Sequence, residues 1–322
     1  MDAASLRIFY VFTDLVLPMV LGYYLHQKRL ISDQLCNKLI RFNIIFIYTL
    51  LSLLSMWALP LSRSLLWLPA FGIILVLVPG IISRLTFARK YTNLLDRGAY
   101  MMSSLLANLG TLGGLCAFIL YGEVGFAYTQ LIASAQNFIL LLVCFPLAQY
   151  YYTKQTAAAR KTRLRVDFRQ IFISWNQLSL LGMIAGLLLN AFEIPRPALL
   201  GTFFNSLVHI GAWTALLPVG YLVDFSRARM YFTKIIDLLP LRCMILPAVI
   251  YALSCLLFDD QILLGTMVIL AAAPTAINAV ITARLFKLNV DLSIAAFLLT
   301  TAVFLIIVFP LLFFYVHAGG SF

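Results

Sequence analysis

The sequence predicts an all-α polytopic membrane protein with ten transmembrane helices, arranged as two inverted five-helix repeats. Three observations support this prediction. The 322 residues are 63% hydrophobic and only 11% charged, whereas an ordinary soluble domain carries about 25% charged residues. Basic residues are concentrated in alternate connections between apolar segments. Two apolar segments, the fourth and the ninth, are interrupted by polar and helix-breaking residues at corresponding positions of the two halves.

The apolar segments have the length of membrane spans. A helix needs roughly 20 apolar residues to cross the hydrocarbon core. Ten such stretches cover approximately residues 6–25, 38–58, 65–83, 98–120, 125–150, 170–190, 198–222, 233–258, 262–286 and 291–316. Because little sequence remains between them, we expect no separate soluble domain.

The basic residues predict the orientation of the chain. Of the 23 lysines and arginines, 20 lie in alternate connections and only 3 in the others. Cytoplasmic loops carry such an excess of positive charge, so both termini are expected on the non-cytoplasmic side of the cell membrane. The net charge of +11 is therefore attributed to topology and to contact with anionic membrane lipid, and we expect no nucleic-acid partner.

The two halves of the chain predict an inverted repeat. The longest basic loop, Thr153–Arg169, has five predicted spans on each side. Since five is an odd number, the second copy enters the membrane upside down, as in many secondary transporters. A pair of interrupted spans in matching positions is also the best sequence indication of a midplane binding site in such proteins.

The interruptions supply the candidate substrate-binding residues. A carboxamide donates and accepts hydrogen bonds without the cost of a buried charge, glycine permits unwinding, and proline removes a backbone donor. The candidates on these grounds are Asn108, Thr111, Gly113, Gly114, Pro274, Thr275 and Asn278. The alternative is that the asparagines cap half-helices or bond a neighbouring span.

The ends of half-helices near the midplane favour an anionic ligand, because a helix N-terminus carries partial positive charge. We expect no Arg or Lys beside either interruption. Arg242 and Arg284 are assigned instead to cytoplasmic ends of spans, where long basic side chains extend towards the interface.

Two further residues are candidates for proton coupling. Asp14 lies near the middle of the first span and His209 in the seventh, and intramembrane ionisable residues are usually functional. Asp14 could alternatively lie near the outer interface, bonded to Thr13 or Arg7. His209 could alternatively be a neutral imidazole with a satisfied hydrogen bond.

Enzymatic activity is not expected. The sequence has no hydrolase motif, no phosphate-binding loop with a lysine and no paired His–carboxylate arrangement. Its five cysteines form no Cys-x-x-Cys pair or Cys/His cluster, so we expect neither a metal nor another cofactor.

Several short motifs together resemble the auxin efflux carrier family, in its bacterial form with a short central loop. The motifs, in the order in which they occur, are Leu17-Pro18 with Gly22-Tyr23, Asn108 with Gly113, Pro247, Ala273-Pro274-Thr275-Ala276, Ala283-Arg284-Leu285-Phe286, Asp291 and Ala295. One departure is Leu115, where the family has proline in the fourth span.

The resemblance implies a fold like that of bile-acid symporters, with spans 4 and 9 crossing at their interruptions. Its implied domains are a scaffold of residues 1–62 and 170–226, a transport domain of residues 63–152 and 227–322, and a basic cytoplasmic loop at 153–169. It implies export of a small organic anion, a carboxylate or an auxin-like acid, by an elevator-type motion. A homodimer through the scaffold spans is also implied.

Two other functions remain open at this point. A non-transporting membrane sensor or lipid-binding protein could use the same scaffold, and Leu115 together with the scarcity of buried charge favours it. A proton-coupled uptake symporter is the other possibility, and it depends on Asp14 and His209.

Overall fold

The structure, a computed structural model, describes residues 7, 9–156, 178–221 and 228–318. These residues form helices and connections, with no strand among them. In chain order the helices are α1 (Leu17–Gln27), α2 (Asp33–Ala58), α3 (Leu65–Leu85), α4 (Leu94–Leu105), α5 (Leu109–Thr156), α6 (Leu178–Ala191), α7 (Ala198–Tyr221), α8 (Leu238–Cys255), α9 (Gln261–Ala272), α10 (Ile277–Leu285) and α11 (Val290–His317). Most of the predicted basic loop at 153–169 and the start of the sixth span lie outside the described residues.

The helices confirm the class of an all-α membrane protein. Six of them, α2, α3, α5, α7, α8 and α11, are long and apolar enough to cross a membrane. The prediction of ten spans is larger for three reasons: it included the interrupted segments, it included the spans of the short helices α1 and α6, and it divided the 48-residue helix α5 between two spans. Helices α4, α9 and α10 end or begin at those interruptions and are therefore shorter than a span. The ten-span inverted repeat stays a prediction.

The chain divides into two compact units. Unit 1 contains Met1–Leu65, Gly110–Gln130 and Phe168–Val223, and unit 2 contains Leu66–Leu109, Leu131–Asp167 and Asp224–Phe322. The scaffold and transport domains implied by the family resemblance stay a prediction.

Helix α5 is divided by a single residue in left-handed conformation. Gly122 has φ 66° and ψ −152°, which only glycine adopts without steric cost. This break lies within the short connection expected between the fourth and fifth spans. It joins two helices without an intervening loop.

Within unit 1, two glycines of α6 allow the backbone of α2 to approach closely. A Cβ added at Gly182 would lie 2.4 Å from the carbonyl oxygen of Thr49, and one added at Gly186 would lie 2.2 Å from that of Leu53. Small residues four apart permit such contact, and van der Waals packing drives much of helix association in lipid. The spacing of these two glycines is therefore explained by packing.

Gly186→Ala is expected to destabilise unit 1, because the new methyl group would overlap the backbone of α2. Overpacking of this kind typically costs about 1–3 kcal/mol. Gly110→Ala is the control, since a Cβ at Gly110 has nothing within 4 Å. The free energy of unfolding of both variants, measured by denaturant titration in mixed micelles, checks the prediction. Equal losses at the two positions would contradict it.

Candidate functional site

The two interruptions lie in unit 2 and are paired with each other. Residues 106–108 separate α4 from α5, and residues 273–276 separate α9 from α10. Ala107 and Thr275 form an isolated antiparallel β-bridge between the two stretches. Two unwound segments that are distant in sequence are thus joined through their backbones.

Backbone hydrogen bonds hold this pair together. The amide of Asn108 donates to the carbonyl of Pro274 at 2.7 Å, and the amide of Ala276 donates to the carbonyl of Leu106 at 2.9 Å. Unwinding a helix frees such groups, and each one left without a partner in the hydrocarbon layer costs several kcal/mol. Each interruption therefore supplies partners that the other has lost.

Side chains from three helices and connections satisfy further groups at the pair. The Thr275 hydroxyl donates to the carbonyl of Ser103 at 3.0 Å. The Thr275 amide donates to the hydroxyl of Thr300 at 3.0 Å, and the Gln136 side chain donates to the carbonyl of Ala107 at 2.8 Å. Gln136 and Thr300 were not among the candidates from sequence. Their signal was only that each is a polar residue in a long apolar segment.

Arg242 also bonds to this end of α4, and the expectation for it was wrong. Its side chain has no solvent exposure and does not extend to the interface. Its Nη2 donates to the carbonyls of Ser103 at 3.2 Å and Ser104 at 2.7 Å. These carbonyls belong to the last turn of α4, which carries partial negative charge and attracts a cation. A buried arginine therefore stands beside an interruption, while Arg284 is exposed as expected.

Four of the predicted substrate-binding residues lie in unit 2. Pro274 and Thr275 are buried, and Asn108 and Asn278 are half-buried. Asn278 lies in the first turn of α10, where its carbonyl accepts the hydroxyl of Thr282 at 2.7 Å. The structure brings Asn108, Pro274 and Thr275 together in the backbone pair.

The other three predicted substrate-binding residues belong to unit 1. Thr111 is half-buried, whereas Gly113 and Gly114 are buried. Next to Thr111, the carbonyl of Gly110 accepts a hydrogen bond from the hydroxyl of Tyr48 at 3.4 Å. Leu115, at the position of the family's proline, is also buried and lies within the helical part of α5.

The two candidates for proton coupling are partners within unit 1, which corrects the expectation of no paired His–carboxylate arrangement, because the two residues are 195 positions apart and meet only in the fold. Nδ1 of His209 lies 2.5 Å from Oδ2 of Asp14. The hydroxyl of Thr13 donates to the other carboxylate oxygen at 3.2 Å. The Asp14 side chain is 9% exposed and that of His209 is 29% exposed. The pair is therefore largely enclosed.

Of the two alternative partners considered for Asp14, only one contacts it. Arg7 donates instead to the carbonyl of Leu120 at 3.0 Å, and Thr13 bonds the carboxylate in addition to the histidine. The ring of Tyr10 packs against that of His209 at an interplanar angle of 43°, with centroids 4.4 Å apart. The imidazole is thus oriented by both an acid and an aromatic ring.

Polar contacts outside the spans link the connections that precede α4 and α8. The Tyr91 hydroxyl donates to the carbonyl of Lys234 at 2.7 Å, and Lys90 pairs with Asp237 at 2.5 Å. Burial, together with the charges of Asp237 and Asp96, raises the pKa of Tyr91. Tyr91 therefore remains a hydrogen-bond donor at neutral pH, which holds the start of α8 beside the start of α4.

No family model matches the chain, and no curated protein matches its sequence. The relation to auxin efflux carriers therefore remains a prediction from the motifs.

Thr275→Val is expected to lower the free energy of unfolding by about 1 kcal/mol, the typical loss of one hydrogen bond, because Ser103 loses a donor at the interruption. Thr282→Val is the matched control. Thr282 is also buried, but its hydroxyl bonds the carbonyl of Asn278 one turn earlier in the same helix. Denaturant titration of both variants checks the difference, and an equal effect would contradict the role assigned to Thr275.

Proposed function

We propose that the protein is a secondary transporter that exports a small organic anion, either a carboxylate or an auxin-like acid, by elevator-type alternating access. The observation that carries this proposal is the backbone pair between the two interruptions of unit 2. Unwound helices in a membrane are tolerated where protein or a wet cavity satisfies them, and transporters place their substrate sites at such points. A protein that is only anchored in the membrane does not need paired interruptions in its helices.

The proposal includes the finer architecture. Ten spans form two inverted repeats, both termini lie outside the cytoplasm of a cell membrane, and scaffold spans form a homodimer. The alternation of basic residues along the chain supports the orientation. The spacing of the interruptions supports the repeat, since Gly114 and Pro274 are 160 positions apart in a chain of 322 residues.

Substrate recognition is assigned to the polar residues of the interruptions. The carboxamides of Asn108 and Asn278 are the primary contacts, because both residues are half-buried and an amide can donate to an anion. Thr111, Gly113, Gly114, Pro274 and Thr275 shape the unwound backbone. This part of the proposal is independent of which acid is carried.

Asn108→Ala and Asn278→Ala are expected to weaken substrate binding by about tenfold each, which corresponds to one lost hydrogen bond to a charged group. Counterflow of labelled malate and indole acids in liposomes measures the change. Asn93→Ala is the control, because Asn93 is exposed and caps the start of α4. Unchanged transport by both test variants would contradict the site. No flux of any acid, with saturable ligand or lipid binding, would favour a membrane sensor or lipid-binding protein.

A second candidate function, proton-coupled uptake, is favoured by the contact between Asp14 and His209. A carboxylate and an imidazole at this distance can hold one proton between them. Asp14→Asn and His209→Gln are then expected to remove the dependence of flux on a pH gradient. Counterflow without a gradient should continue, and flux that still follows the gradient in both variants would contradict this function.

A further inference from the structure

Arg242 has more hydrogen-bond donors than the described residues provide acceptors for. A guanidinium carries five N–H groups and no acceptor. The two N–H groups of Nη2 donate to the carbonyls of Ser103 and Ser104. Its Nε and Nη1 are buried and find no acceptor among the described residues. Three N–H groups of a charged side chain with no solvent exposure are therefore available to a ligand.

Within the described residues, the positive charge of Arg242 also has no acidic partner. It takes part in none of the ion pairs found within the described part of the chain. Its electrostatic neighbours are Cys243 and Tyr100. Cysteine and tyrosine have ordinary pKa values of about 8.5 and 10, and are neutral at pH 7. Among the described residues, the partial charges of these two carbonyls are the only hydrogen-bonding contacts that oppose the positive charge, and a buried charge without a partner is expensive.

The position of Arg242 connects it to the interruptions. The carbonyl of Ser103 accepts both from Arg242 and from the hydroxyl of Thr275. Thr275 is itself a member of the backbone bridge. The guanidinium is therefore one shared acceptor away from the unwound segments of unit 2.

From this geometry we infer that Arg242 is the charge-recognition residue for a singly charged carboxylate in unit 2. The inference rests on the proposed transport function for the identity of its ligand as a carried substrate. One carboxylate neutralises one positive charge. Hydrogen bonds between a guanidinium and a carboxylate are also about twice as strong as hydrogen bonds between neutral groups. Because Arg242 has no exposure, an anion reaches it only when the helices around it separate.

The alternative is that Arg242 only stabilises the C-terminal end of α4. That role uses Nη2 alone and predicts a less stable protein with unchanged affinity for anions. Charge recognition predicts a loss of affinity that depends on the charge of the ligand. Benzoate and its neutral analogue benzamide have similar shapes and separate the two roles.

The experiment measures binding of benzoate and benzamide to the purified full chain in detergent micelles, by calorimetry. Wild-type protein should bind benzoate, and Arg242→Gln should lower that affinity by about tenfold or more, as expected for a lost charge-assisted bond. Weak benzamide binding should not change. Arg284→Gln is the matched control, because it removes the same charge from an exposed side chain of α10 and should leave benzoate affinity unchanged.

Two results would overturn the inference: no benzoate binding by the wild type, or equal benzoate affinity in Arg242→Gln and wild type. If Arg242→Gln does not fold, Arg242→Met decides, since it removes both the charge and the donors while keeping a long unbranched side chain. Unchanged affinity in that variant overturns the inference. Counterflow in liposomes separates the two proposals. If benzoate binding depends on Arg242 but no acid is transported, the transport proposal is rejected and charge recognition stands. If transport occurs and Arg242→Gln does not change it, charge recognition is rejected and the transport proposal stands.

Discussion

The arrangement of unit 2 depends on one constraint: backbone amides and carbonyls freed within an apolar layer must find partners. The carbonyls at the end of α4 and the groups around Pro274 cannot turn to water as they would on a soluble surface. They bond to each other across the bridge of Ala107 and Thr275, and to side chains supplied by α5, α8 and α11. This need explains why Gln136, Arg242 and Thr300 are polar residues within apolar helices.

The same constraint relates structure to the proposed function. A site that binds polar ligands inside a membrane requires polar groups at that depth, and intact apolar helices offer almost none. Interrupting two helices creates such groups, and pairing the interruptions keeps them stable. The Nε and Nη1 donors of Arg242, which find no acceptor among the described residues, are then capacity beyond what this part of the fold uses. The proposed recognition of an anion rests on these unused donors.

The class of the protein and the places where its helices are interrupted could be predicted from sequence, because composition, Asn108 with its neighbouring glycines, and Pro274 act locally. Partners could not be predicted in the same way. Arg242 was assigned to the interface because it lies near the predicted cytoplasmic end of its span. The carbonyls that hold it in the interior, those of Ser103 and Ser104, are about 140 positions away in sequence. Asp14 and His209 were each recognised as candidates, but their contact depends on how α7 packs on the first span. Gln136 and Thr300 had no local signal that distinguished them from other polar residues of apolar helices.

The carbonyl of Ser103 has a consequence for energetics. It has two lone pairs, and Thr275 and Arg242 occupy both. If the guanidinium of Arg242 moves away, the hydrogen bond from Thr275 to that oxygen becomes stronger. If the Thr275 hydroxyl moves away, the hydrogen bond from Arg242 becomes stronger. The segments carrying these two donors are therefore thermodynamically linked through a single acceptor, and linkage of this kind is reciprocal. Double-mutant cycles across it would be non-additive, so α8 and the α9–α10 connection form one energetic unit although they share no direct hydrogen bond in this network.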